Sequence, residues 1–145
     1  TLPLNLDTNT KELGVDHQIA SFVLPLGMTI NMNGTAIMQV VATLFIAGCG
    51  GYDVSLFQLI LIMILALIAS MGTPAAPGAG AVILFTILSG VGFTGEQALI
   101  AYSLILAINR PIEMLVTSLN CVGDSVASIA VAKSEGNFNA EIYKK

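Results

Sequence analysis

The chain has 145 residues, 55% of them hydrophobic and only 10% charged, with a mean hydropathy of +0.87 and a formal net charge of −4. Soluble domains carry about 25% charged residues, so this composition excludes an ordinary water-soluble enzyme, and the apolar content excludes a disordered chain. Five basic residues against nine acidic ones exclude a nucleic-acid-binding surface.

The segment from Gln18 to Gly95 carries a single charged residue, Asp53. That distribution belongs to a chain solvated by lipid and predicts an all-α integral membrane protein. Residues 1–18 are predicted to be a polar loop, with His17 a loop residue that has no visible partner. Thr1 to His17 lacks the basic-then-apolar order of a signal peptide and is expected to lie inside a longer membrane protein. Residues 19–47 form the first apolar segment, long enough for about 43 Å of helix against a hydrocarbon core of about 30 Å. Its middle, Asn31-Met32-Asn33-Gly34-Thr35, sets two amides and a glycine in competition with helical hydrogen bonding. The prediction is a broken transmembrane helix, two half-helices joined by unwound backbone.

After the turn at Gly48 to Asp53, the apolar run Leu56 to Ala69 gives about 21 Å of helix, too short to cross. It stops at Ser70-Met71-Gly72-Thr73-Pro74-Ala75-Ala76-Pro77-Gly78-Ala79-Gly80, where the prolines and glycines cannot continue a helix. A second short run, Ala81 to Val91, follows. Residues 55–92 are therefore expected to form a re-entrant helical hairpin, whose non-helical tip is tolerable in a membrane only when covered by protein or lining a cavity. The competing arrangement is two short complete crossings with the tip in water. Residues 96–133 form a last, long amphipathic transmembrane helix, with Glu96 favourable in its first turn and Pro111 placed to kink it. Residues 134–145 are a polar tail in which Lys144 and Lys145 join Lys133, an arrangement that points this end to the cytoplasm. Cys49 and Cys121 lie in apolar surroundings and suggest neither a disulfide nor a metal site.

On the last helix Glu113, Thr117, Asn120 and Asp124 recur at i, i+4, i+7 and i+11, within about 60° of arc. Leu115, Leu119, Val122 and Val126 occupy the opposite face. Carboxylates at membrane depth are costly and call for a cation, a proton or a water-filled cavity. Glu113 has a bland alternative, a pair with Arg110 three residues earlier; Asp124 has none. A carboxylate beside the unwound backbone at Asn31 to Thr35 makes an oxygen-rich setting for a hard cation, with sodium or a proton the natural candidates. The half-helix N-termini suit a substrate carboxylate. GxSxG, HExxH, P-loop and paired CxxC spacings do not occur, which points away from an enzyme.

These residues resemble the glutamate/aspartate and neutral amino acid transporters, also called dicarboxylate/amino acid:cation symporters. Thr1-Leu2-Pro3, Leu24-Pro25-Leu26-Gly27, Asn31-Met32-Asn33-Gly34-Thr35, Ser70-Met71-Gly72-Thr73, Pro77-Gly78-Ala79-Gly80 and Asn120 to Asp124 stand in the family's order and approximate spacing. The resemblance implies the C-terminal part of an elevator-type transport domain in a multi-pass plasma (inner) membrane protein. Its N-terminal scaffold and first hairpin lie outside this sequence. It further implies a homotrimer, sodium coupling without an organic cofactor, and the second hairpin as gate. By the same resemblance Gly27, Asn31, Asn120 and Asp124 form one sodium site, and Thr29, Met32, Ser70, Met71 and Thr73 a second. Substrate contacts fall to the hairpin tip with Ser70 and Gly72, and to Thr35, Glu113, Thr117 and Asn120.

Three departures from the family pattern bear on function. Asn33 replaces an aspartate of a third sodium site and implies a lower cation stoichiometry. Glu113 replaces the usual aspartate, keeping a charge for the substrate ammonium but reaching one methylene further. Val116 stands where acidic-substrate members carry an arginine, which favours a neutral amino acid. The alternatives are a symporter of acidic amino acids or C4-dicarboxylates, or a fragment without transport of its own that needs a partner half.

Overall fold

The computed structural model describes residues 1–143, all of whose regular elements are helices. They are α1 (Leu2–Lys11), α2 (His17–Ile30), α3 (Asn33–Gly50), α4 (Leu56–Met71), α5 (Ala79–Val91), α6 (Glu96–Ser134) and the single turn α7 (Ala140–Tyr143). Two stretches, His17–Gly50 and Glu96–Ser134, are long and apolar enough to cross a membrane. Lys144 and Lys145, on which the cytoplasmic orientation of the tail leaned, lie outside the described residues.

The N-terminal segment departs from the loop expected over residues 1–18. Pro3 sits in the first turn of α1, where its missing N–H is one of the unpaired donors anyway. What holds this polar helix is a network on α6. Asn9 is fully buried and donates to Ser125 Oγ at 3.0 Å, while Ser125 donates to Asn5 Oδ1 at 2.9 Å. His17 is likewise not in a loop; it opens α2 behind Asp16, whose side chain caps the helix by accepting from Gln18 N–H at 2.8 Å.

The helical run breaks at Asn31 and Met32, which leave helical geometry with ψ of 70° and 49°. The break is shorter than the five residues predicted from the sequence, because Asn33 to Thr35 already belong to α3. Its reason is an external partner: the Gly34 N–H, an orphan donor of the first helical turn, is satisfied by Asn120 Oδ1 at 2.8 Å. The two half-helices run antiparallel along α6, since Gly27 lies at Asp124, Gly34 at Val116 and Asn120, and Gly50 at Ala98.

Helix α4 starts at a reciprocal Ser55–Gln58 capping box and ends at Gly72, and α5 begins beyond the Gly/Pro segment at Ala79. These two short helices pack on each other and on α3. A core of Ile46, Ile62, Leu84, Leu88, Phe93 and Ala98 joins α3, α4, α5 and the start of α6. Tyr52 closes this end, stacking on Phe93 at 4.6 Å and accepting the Gly95 N–H at 2.8 Å. Pro111 lies inside α6, which stays continuous through it. Leu115, Leu119, Val122 and Val126 are exposed along one face of that helix, as a lipid- or protein-covered surface requires.

The other end of α6 is clasped. Val15 and Phe138 form an isolated antiparallel bridge, and Asn139 N–H donates to Gly14 O at 2.7 Å. Gly14 has φ +70°, and a Cβ there would strike the Asn139 carbonyl. Gly14→Ala is therefore expected to destabilise the protein by about 1–3 kcal/mol, read as a lower midpoint of thermal unfolding in detergent; an unchanged midpoint would show that the clasp contributes nothing.

Candidate functional site

The polar stripe of α6 is where the broken helix, the Gly/Pro segment and α1 converge. Asp124 is only 2% exposed. Its Oδ1 accepts from Asn31 Nδ2 at 2.8 Å, and the Gly27 backbone packs so closely that a Cβ on it would overlap the carboxylate. Among the described residues the ion pairs are Lys11–Asp7 and Arg110–Glu113, neither of which involves Asp124. A buried carboxylate with one amide donor and no basic partner carries charge that a bound cation would neutralise.

One turn away, Asn120 ties the first turn of α3 to α6. Its oxygen takes the Gly34 N–H, and its Nδ2 lies 3.3 Å from both Met32 Sδ and Thr35 Oγ1. Two glycines make this approach geometrically feasible. At Gly34 a Cβ would meet Val116 O at 2.5 Å, and at Gly123 it would meet Asn31 Nδ2 at 2.5 Å and Asn33 Nδ2 at 2.9 Å. From the sequence Gly34 is expected only to weaken the helix and Gly123 has no assigned role, although both lie within the quoted motifs; their function is close backbone approach.

A cavity of about 670 Å³ opens beside the stripe, a volume within the range of small-molecule sites. Its wall brings together Met32, Thr35, Thr73, Glu113, Thr117 and Asn120, with Val116 and Asp124 also on it. The Glu113 carboxylate performs two tasks. Its Oε1 accepts the N–H of Gly78, the N-cap of α5, and its Oε2 lies 3.4 Å from Arg110 NH1. Thr117 donates its hydroxyl to Glu113 O at 2.8 Å, so an additional ligand at Thr117 would meet the oxygen's lone pairs.

Residues expected to form one sodium site are thus neighbours: Gly27, Asn31 and Asp124 in direct contact, with Asn120 one turn off. The second expected group is divided. Met32 and Thr73 share the cavity wall, whereas Thr29, Ser70 and Met71 do not line it, and neither does Gly72. Thr29 is exposed with its hydroxyl turned to Leu26 O, Ser70 is buried with its hydroxyl on Leu67 O, and Met71 is 51% exposed. Asn33 is exposed and lies against Gly123 beside the Asn31 amide. The sequence reading missed the contribution of α1, whose Thr1, Leu2, Pro3 and Asn5 close one side of the cavity. Pro3 is the available signal, since a proline suits the first turn of a helix.

Comparison with known proteins shows the family to which the chain is related. Residues 1–134 match the profile of the sodium:dicarboxylate symporter family. The chain is 36% identical over 141 residues to an excitatory amino acid transporter of Caenorhabditis elegans, covering 97% of this chain and 27% of that protein. It is 37% identical over 131 residues to mouse excitatory amino acid transporter 4, covering 90% of this chain and 23% of that protein. With human excitatory amino acid transporter 2 the identity is 38% over 125 residues, covering 86% and 21%. The chain therefore spans about a quarter of the length of the curated relatives it matches.

Proposed function

The chain belongs to the sodium:dicarboxylate symporter family, and from that premise we propose that it is the C-terminal part of the transport domain of a sodium-coupled amino acid symporter. The observation that carries this reading is Asp124, a buried carboxylate held against the break in α2–α3 without a basic partner among the described residues. Sodium suits that setting, a hard cation with hard oxygen donors at membrane depth. The amino acid occupies the adjoining cavity, its α-carboxylate toward Asn120 and the first turn of α3, its ammonium toward Glu113.

Cation and substrate are coupled because Asn120 and Met32 stand between the two sites. A cation that orders the break lowers the cost of ordering the substrate site, and by linkage the substrate strengthens cation binding to the same degree. The segment between α4 and α5 acts as the gate, tied down through Gly78, and the domain then moves as a unit by an elevator mechanism within a homotrimer. Val116 on the cavity wall argues for a neutral side chain. Arg110 on the same wall, and the names of the relatives, outweigh it and favour an acidic amino acid. A C4-dicarboxylate fits less well, because it would bring a second carboxylate to Glu113 without an ammonium to offset it.

The test is uptake by the complete protein in proteoliposomes. An inward sodium gradient is expected to drive amino acid accumulation, and collapsing that gradient should return uptake to the leak of empty vesicles. Amino acid uptake indifferent to sodium would sink the coupling.

A further inference from the structure

Val116 cannot pair with a carboxylate, yet the cavity wall holds one basic side chain among the described residues, Arg110. It stands two turns before Val116 on α6, and on sequence spacing alone it is too remote to serve the substrate. Its guanidinium does not stay at its own level. Arg110 NH1 lies 3.4 Å from Glu113 Oε2, which brings the charge one turn down the helix toward the substrate site. Glu113 in turn is fixed from the other side by the Gly78 N–H. The Arg110 side chain is 70% exposed, so its guanidinium lies at the open edge of the cavity, anchored on one side by Glu113 and available on the other.

We propose that Arg110 is the specificity-determining residue for substrate charge, receiving the side-chain carboxylate of an acidic amino acid while remaining paired with Glu113. The inference rests on the symport reading above and names the substrate class of the same site. Distance supports it. From Asn120 to the level of Glu113 is about 10 Å along α6 at 1.5 Å per residue. An acidic amino acid holds its two carboxyl carbons about 4–5 Å apart at ordinary bond lengths, and a charge-assisted hydrogen bond of about 2.8 Å at each end closes the remaining gap. Such a ligand spans Asn120 to the guanidinium, with its ammonium, on the carbon next to the α-carboxylate, between the two ends and directed toward Glu113. A guanidinium has five N–H donors in a planar fork, so one edge can stay on Glu113 while another takes the substrate. A neutral side chain such as that of alanine or serine leaves the free edge unused.

The experiment is sodium-driven uptake by the full-length protein in proteoliposomes, comparing L-aspartate and L-glutamate with L-alanine and L-serine. Wild type is expected to prefer the acidic pair. Arg110→Ala should lower the acidic-to-neutral ratio of kcat/KM by about tenfold or more, the loss of one bidentate charge-assisted contact. Arg110→Lys should give an intermediate ratio, since it keeps a charge but loses the fork. A purely structural role would depress both classes together and leave the ratio where it was. An unchanged ratio in Arg110→Ala, or a wild type that prefers neutral substrates, overturns the assignment. Sodium-driven uptake of neither class would instead overturn the symport reading, and this assignment would fall with it.

Discussion

Replacing Asp124 with asparagine is expected to weaken sodium binding by about a hundredfold or more, the equivalent of about 3 kcal/mol for removing one partner of a buried charge pair. The substitution keeps shape and the oxygen that accepts from Asn31 Nδ2 at 2.8 Å, so what it removes is charge. In the absence of sodium it should not destabilise the protein. The wild-type carboxylate is 2% exposed and has no basic partner among the described residues, so neutralising it relieves a desolvation cost. The result to look for is thus a pair of opposite shifts: a thermal midpoint in sodium-free detergent at or above that of wild type, and a sodium requirement for uptake moved far upward. Val116→Ala supplies the comparison. Val116 lines the cavity but offers no charge, and its loss should alter substrate affinity with little change in the sodium requirement. Equal sodium effects from the two substitutions would remove Asp124 from the cation site.

In the proposed symport, coupling would run through Asn120, which joins α3 to α6 with one side chain. Its oxygen satisfies the Gly34 N–H, and its nitrogen reaches Met32 Sδ and Thr35 Oγ1. The residues at the break, Asn31 and Met32, are those whose backbone has left helical geometry, so a cation bound there would act on them first. Moving Met32 would disturb its contact with Asn120, and Asn120 lines the cavity beside α6. Glu113 supplies a comparable link on the other side, joining α6 to the segment between α4 and α5 at Gly78. Two side chains on one helix face thus connect the proposed cation site, substrate site and gate, which is the arrangement that linkage between the ligands would need.

The parts of this architecture that were legible in the sequence are those with a local cause. Apolar runs and Gly/Pro breaks have a length and composition that show without partners, so the positions of α3 to α6 followed closely. The polar stripe of α6 followed from helical periodicity alone. What escaped depends on contacts far apart in the chain. Helix α1 looks like a polar turn because Asn5 and Asn9 seem to belong in water; they face inward only because Ser125 is there to bond them. The break looked five residues long because Asn33 and Gly34 are poor helix formers, and it is shorter because Asn120 caps the first turn of α3 from α6. The Arg110–Glu113 pair was legible from its i, i+3 spacing, whereas Glu113 reaching Gly78 was not, since the fold of the segment between α4 and α5 decides where the Gly78 N–H points.

The same long-range contact makes Gly34→Ala the substitution with the largest expected effect on stability. A Cβ at Gly34 would sit 2.5 Å from Val116 O, a backbone atom that cannot rotate aside, and 3.2 Å from Asn120 Oδ1. Relief requires α3 to move off α6, which lengthens the Gly34 to Asn120 hydrogen bond of 2.8 Å. Overpacking of this kind costs about 1–3 kcal/mol, and a weakened buried hydrogen bond adds about 1 kcal/mol. Two other glycines calibrate the result. Gly27→Ala drives its new Cβ against the Asp124 carboxylate, a side chain that can shift, so sodium affinity should suffer more than folding. Gly48 lies exposed within α3 with nothing within 4 Å of its would-be Cβ, and Gly48→Ala should stabilise α3 by up to about 1 kcal/mol through helix propensity. Thermal unfolding of the three variants in detergent is expected to rank Gly34→Ala lowest, Gly27→Ala between, and Gly48→Ala at or above wild type. If Gly34→Ala melts with wild type and keeps sodium-driven uptake, the break is not anchored on α6 through Asn120, and coupling through that residue fails with it.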